Sequence, residues 1–144
     1  MISEVKKYCR LPSKERKLLN KIVIWLFLYK ILIVLVPVRK YSFLFSTGNE
    51  GSSDKTKNYD LQLIEMLTKS VRRSRKIVPW KNKCMAESLA AKRILNKKKI
   101  SSIINFGVKK DSEGKIIMHA WLCIGDKLVA GGDDFSKFEA NNTF

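Results

Sequence analysis

The chain has 144 residues, with 29 Lys plus Arg against 13 Asp plus Glu and a formal net charge of +16. That length holds one domain with one substantial core, and the charge favours acidic partners, whether nucleic acid, anionic lipid or an acidic peptide. The three cysteines, Cys9, Cys84 and Cys123, form no CxxC pair and no disulfide framework, and a single histidine, His119, leaves them short of zinc-site spacing. No metal or other cofactor is therefore expected, and a reducing, cytoplasmic location is the simplest reading.

Residues 1–13 are polar, and Ser13 is expected to cap the helix that follows. Residues 18–36 are the most apolar stretch, interrupted by Lys21 and Lys30 and closed by Pro37, so no unbroken span of about 20 apolar residues exists. Bulky Val34, Leu35 and Val36 stand where a signal peptide would need small residues. The run is expected to be a helix packed on the core. A membrane-surface helix is the alternative, because Trp25, Phe27 and Tyr29 with Lys21, Lys30, Arg39 and Lys40 also compose an interfacial anchor. Gly48, Gly51, Ser52 and Ser53 then mark a loop over residues 48–58. It separates an apolar helical portion, residues 1–47, from the remainder, residues 59–144, with both parts sharing one domain because neither alone has enough core.

From Tyr59, the residues Leu61, Leu63, Ile64, Met66 and Leu67 recur at helical spacing as far as Val71. The helix continues into the densest positive patch, Lys69, Arg72, Arg73, Arg75 and Lys76. With no zinc-finger spacing, RNP-like strand or aromatic stacking series beside it, the patch does not point to nucleic acid.

A second helix is expected after Pro79, with Asn82 as its cap and Cys84 in its first turn. Leu89, Ile94 and Leu95 share one face, while Glu87, Lys92 and Arg93 are expected to face water. Backbone N–H groups in a first turn favour negative charge, so they stabilise a thiolate and offer donors to an oxyanion. A strand from Ile100 to Val108 and a turn at Asp111-Ser112-Glu113-Gly114 come next. In the following strand Ile117, His119, Trp121 and Cys123 alternate with Ile116, Met118, Ala120, Leu122 and Ile124. Cys123 lies about 13 Å along the strand from His119 and is expected in the core. Gly125-Asp126-Lys127 turns the chain into Leu128-Val129-Ala130, completing an antiparallel hairpin. Histidine is the one side chain whose ordinary pKa makes it a base for a thiol near neutral pH, so Cys84 and His119 form the one candidate nucleophile pair. Against this stand the commoner roles of each: a small buried hydrophobe and a hydrogen-bonded strand residue.

The stretch from Pro79 to Phe138 resembles the leader-removing B proteins of lasso-peptide biosynthesis, papain-related peptidases with a transglutaminase-like fold. The matching features are Cys84-x-x-x-Ser88-Leu89-Ala90, the basic helix end, the strand closing on Gly107-Val108, His119-Ala120-Trp121, and Leu128-Val129-Ala130-Gly131-Gly132 leading into Phe138. Where the resembling proteins have a glycine before the first strand, this chain has Lys99.

The resemblance implies an α+β architecture, N-terminal helices followed by a papain/transglutaminase-like core with a catalytic helix packed on a small antiparallel sheet. It implies a cysteine peptidase that removes the leader from a ribosomally made precursor, with Cys84 as nucleophile and His119 as base. Asp133 or Asp134 would orient the imidazole, and Asp126 is a lower-ranked third candidate. Asn82 would serve as a second oxyanion donor or only as a cap. Trp80 and Trp121 would line the cleft or pack in the core. Arg72, Arg73 and Arg75 would meet the peptide or its carrier. Expected partners are the precursor with its leader, a small separate leader-recognition protein and an asparagine-synthetase-like cyclase, with peripheral membrane contact as a further option. The competing reading is a non-catalytic peptide- or membrane-surface-binding module of similar fold.

Overall fold

The structure, a computed structural model, describes residues 8–41, 60–81, 83–132 and 139–140. The expected loop at 48–58 lies outside them. In chain order the elements are α1 (Ser13–Leu35), α2 (Val38–Tyr41), α3 (Leu61–Ile77), α4 (Cys84–Lys97), β1 (Ile103–Lys110), β2 (Ile116–Ile124), β3 (Lys127–Ala130) and β4 (Glu139–Ala140). The fold is α+β, with helices preceding a small antiparallel sheet, consistent with a papain/transglutaminase-like architecture.

Helix α1 begins one residue earlier than a Ser13 cap would allow. Pro12 holds the cap position with no side-chain bond, and Ser13 is the first helical residue. The helix ends at Leu35 because Val36 precedes Pro37, whose ring disfavours helical backbone in its predecessor; Val36 is extended, at φ −117° and ψ 130°. Leu19, Ile22, Leu26 and Tyr29 form its buried stripe. By length and composition α1 is long and apolar enough to cross a membrane, despite Lys30, yet this stripe packs against α3 and α4.

Helix α3 starts at a conventional cap, Asp60, whose Oδ1 accepts from the Leu63 N–H at 3.1 Å. Ile64, Leu67, Ser70, Val71 and Ser74 face inward at helical spacing, and Pro79 lies just past the C-cap Val78. Helix α4 buries eight of its fourteen residues, Glu87 and Lys92 among them. The expectation that both face water is therefore corrected: Glu87 is 1 % and Lys92 3 % exposed, whereas Arg93 is exposed. Alanines at 86, 90 and 91 let the backbone approach its neighbours so closely that positions off the Leu89–Leu95 stripe are enclosed as well.

Lys99 ends α4 in the left-handed region, φ 56°, with the Ile100 N–H closing back on the Leu95 carbonyl at 3.0 Å. The turn thus keeps the backbone that a glycine would adopt, although the residue is lysine.

The sheet order is β3-β2-β1-β4, all antiparallel, with β2 and β1 central. Asp111 stitches the β1–β2 turn through Oδ1, which accepts from the Glu113 and Lys115 N–H groups at 3.0 and 2.8 Å. Register pairs Ile104 with Leu122 and Phe106 with Ala120, and a shift between Leu122 and Cys123 breaks the β2–β3 ladder. Ala120, Leu122 and Ile124 join Ile22, Leu26, Ile64, Leu67, Leu89, Leu95 and Val129 in a hydrophobic cluster drawn from α1, α3, α4 and the sheet.

Candidate functional site

The candidate residues are carried by the C-terminal end of α3, the first turn of α4 and strand β2. Cys84 is the first residue of α4 and half-buried. Its cap is Lys83, with backbone at φ −93° and ψ −16° and no side-chain cap bond, rather than Asn82, which lies outside the described residues. The first helical bond runs from the Glu87 N–H to the Lys83 carbonyl at 2.8 Å. The N–H groups of the first turn ahead of Glu87 have no partner within the helix, so they are available to a negative charge.

Two side chains brace this turn. Arg75 grips the buried Glu87 carboxylate with both prongs, Nε to Oε1 and Nη2 to Oε2, each at 2.9 Å. Lys83 Nζ donates to the carbonyls of Arg75 and Val78 at 2.6 and 3.0 Å, so the residue before Cys84 caps the end of α3. A guanidinium fork on a carboxylate fixes orientation as well as distance. The brace was not legible in the sequence. Glu87 stands one turn after Cys84, but nothing local connects it with Arg75, twelve residues earlier.

His119 sits on the central strand β2, half-buried. Its ring stacks on Trp121, with centroids 5.9 Å apart and planes at 26°, and Trp121 is buried. Alternation sets His119, Trp121 and Cys123 on one face of β2 and the core residues Ala120, Leu122 and Ile124 on the other. At the end of β3 the chain folds over this region. Gly131, at φ 102°, runs so close to β2 that a Cβ would collide with the Ala120 carbonyl and the Trp121 Cα. Gly132, at φ 109°, passes the imidazole edge; a Cβ there would stand 3.3 Å from Cε1 and 3.4 Å from Nε2. Gly132 also borders a shallow groove shared with Thr68, Arg72, Arg75 and Leu128. Through Gly132 the imidazole is thus neighbour to a groove with two arginines, one of which holds Glu87.

The remaining candidates fall in different places. Asp133 and Asp134 lie outside the described residues. Asp126 is exposed in the β2–β3 turn, past the strand end at Ile124 that already lies about 17 Å along the strand from His119, and so is separated from the imidazole. It bears instead on Cys123, whose thiol pKa is pushed up by burial, opposed by a hydrogen bond with Asn105 and reinforced by the Asp126 charge. Cys123 is half-buried rather than a core residue. Trp80 is half-buried and meets Phe27 edge-on, centroids 4.7 Å apart. Of the three expected partner-binding arginines, Arg73 pairs with Glu15 at 2.6 Å and Arg75 with Glu87, while Arg72 is exposed along the groove. Among the described residues no group of three or more His, Cys, Asp or Glu side chains could hold a metal ion.

A cysteine heading a helix that packs on an antiparallel sheet, with a histidine on the central strand, is a layout in keeping with a papain/transglutaminase-like fold. The chain belongs to the transglutaminase-like superfamily, whose family model matches residues 27–143. This is the superfamily domain found in lasso-peptide biosynthesis B proteins. No curated protein and no solved structure matches the chain.

Proposed function

We propose that the chain, acting as a single domain over residues 1–144, is a cytoplasmic cysteine peptidase that removes the leader from a lasso-peptide precursor. The observation that carries the reading is the position of Cys84 as the first residue of a braced helix in a chain of this superfamily. The Cys84 thiolate adds to the carbonyl carbon at the leader–core junction, and first-turn N–H groups, with Asn82 as a further donor, receive the oxyanion. His119, having taken the thiol proton, gives it to the departing amine as the thioester forms. Water then adds to the thioester, His119 accepts its proton, and the thiol is released. Asp133 or Asp134 orients the imidazole, Trp80 and Trp121 wall the cleft, and of Arg72, Arg73 and Arg75 it is the exposed Arg72 that engages an acidic peptide or the leader-recognition protein, since Arg73 is paired with Glu15 and Arg75 with Glu87. The cyclase takes the freed core peptide.

Mass spectrometry of precursor incubated with the protein and its recognition partner tests this. Cys84→Ala should abolish processing and His119→Ala should reduce it by several orders of magnitude, with Asp133→Asn and Asp134→Asn separating the two acids. A non-catalytic peptide- or membrane-surface-binding module of similar fold is the second reading, favoured by the separation of Asp126 from His119. Precursor that is bound but processed by neither wild type nor Cys84→Ala would establish that reading instead.

A further inference from the structure

Helix α1 has a second face that the core does not use. Ile24, Leu28, Ile31, Val34 and Leu35 are each between 49 % and 74 % exposed, while Phe27 beside them packs on Trp80. At 100° per residue these five gather on the side opposite Leu19, Ile22, Leu26 and Tyr29, forming an apolar strip about 16 Å long. Isolated exposed apolar side chains are ordinary, but five neighbouring ones mark a contact surface. The charges around the strip are basic. Lys14, Lys17 and Lys21 stand exposed at its N-terminal end, and Arg39 and Lys40 follow its C-terminal end. The one acidic residue of α1, Glu15, is engaged by Arg73.

We infer that the outer face of α1 docks the protein peripherally on an anionic bilayer surface. Charge complementarity selects this occupant. A net charge of +16 and basic residues at both ends of the strip suit acidic headgroups, while the aliphatic strip enters the acyl boundary. The helix lies in the plane of the surface and does not cross it, because Ile22 and Leu26 are 0 % exposed in the core shared with α3 and α4. The inference is independent of whether Cys84 is a nucleophile.

Co-sedimentation of the full chain with phosphatidylcholine vesicles, with and without phosphatidylglycerol, tests the docking. The expected result is binding to the anionic vesicles that weakens with salt and falls about tenfold or more in the triple variant Ile24→Gln, Leu28→Gln, Ile31→Gln. Glutamine keeps helix propensity, and urea unfolding with far-UV circular dichroism checks that the variant is folded. A second variant, Lys17→Gln with Lys21→Gln, should flatten the salt dependence and leave the apolar contribution in place. Equal binding by wild type and the triple variant would reduce the interaction to bulk charge and overturn the inference. So would wild type that stays in the supernatant, including the case in which the strip is instead needed to co-purify a protein partner.

Discussion

Helices α1 and α4 invert the usual relation between composition and burial. The more apolar one, α1, buries four of its twenty-three residues; α4, with a Glu, two Lys and an Arg among its fourteen, buries eight. The difference lies in what each helix is packed between. Helix α4 is enclosed by α1, α3 and the sheet, and its run of alanines lets those neighbours close over polar positions. Helix α1 covers α3 and α4 from one side only. Burial is decided by neighbours, so the charged residues that matter to the site are the enclosed ones, and the apolar residues with an unspent role are the exposed ones.

The strongest way to break the comparison is at Glu87. If its burial in α4 depends on Arg75, then Glu87→Ala should destabilise the fold by about 2 kcal/mol, because the guanidinium is left half-buried without its two acceptors. Arg75 keeps some solvent contact, which holds the figure below that of a fully buried pair. Glu87→Gln, which preserves shape and one acceptor, should cost less. Urea midpoints of the three proteins give the order, and equal stability would show that the brace does not hold α4.

Lys92 sharpens the same point with pH. Burial lowers its pKa below the ordinary lysine value, while its Nζ reaches the Ser102 carbonyl only at 3.4 Å. Below the lowered folded pKa both states carry the proton and the burial penalty is fully present. Between that pKa and the unfolded value the unfolded chain binds more protons, so this group's contribution to stability rises with pH. Lys92→Met should abolish that rise. The stability gap between variant and wild type should therefore narrow from neutral pH toward the lysine range, and a gap independent of pH would refute it. Taking the difference removes Tyr29, whose pKa burial raises against the opposing Arg93 charge.

Much of this fold was legible because periodicity and breakers are local. Leu61, Ile64, Leu67 and Val71 announce α3, Pro37 closes α1, and the alternation through His119 gives β2 with its faces correctly sorted. The family was legible as well, from the ordered sequence of Cys84, His119-Ala120-Trp121 and Gly131-Gly132. Long-range consequences were not. Glu87 and Lys92 look solvated at helical spacing and are buried by α3 and the sheet, and Lys83 caps a helix other than its own. Lys99 shows that backbone demand can outweigh residue preference: the αL position persists without glycine. The second face of α1 was visible only as an alternative, since an apolar run fits a core helix and an interfacial helix equally until its neighbours are known.

The smallest expected effect is on that second face, and it closes the comparison from the other side. Ile31 is 54 % exposed and lies opposite Leu26, which is 0 % exposed. Leu26→Ala should cost about 3 kcal/mol through lost burial and the cavity left behind, whereas Ile31→Gln should change stability by no more than about 0.5 kcal/mol, since it removes little packing and glutamine is at least as good a helix former. Urea unfolding of the two variants in parallel measures both. A cost for Ile31→Gln approaching that of Leu26→Ala would mean that the outer face is covered in the folded chain, and α1 would then be a core helix on both sides with no strip left to present to a membrane.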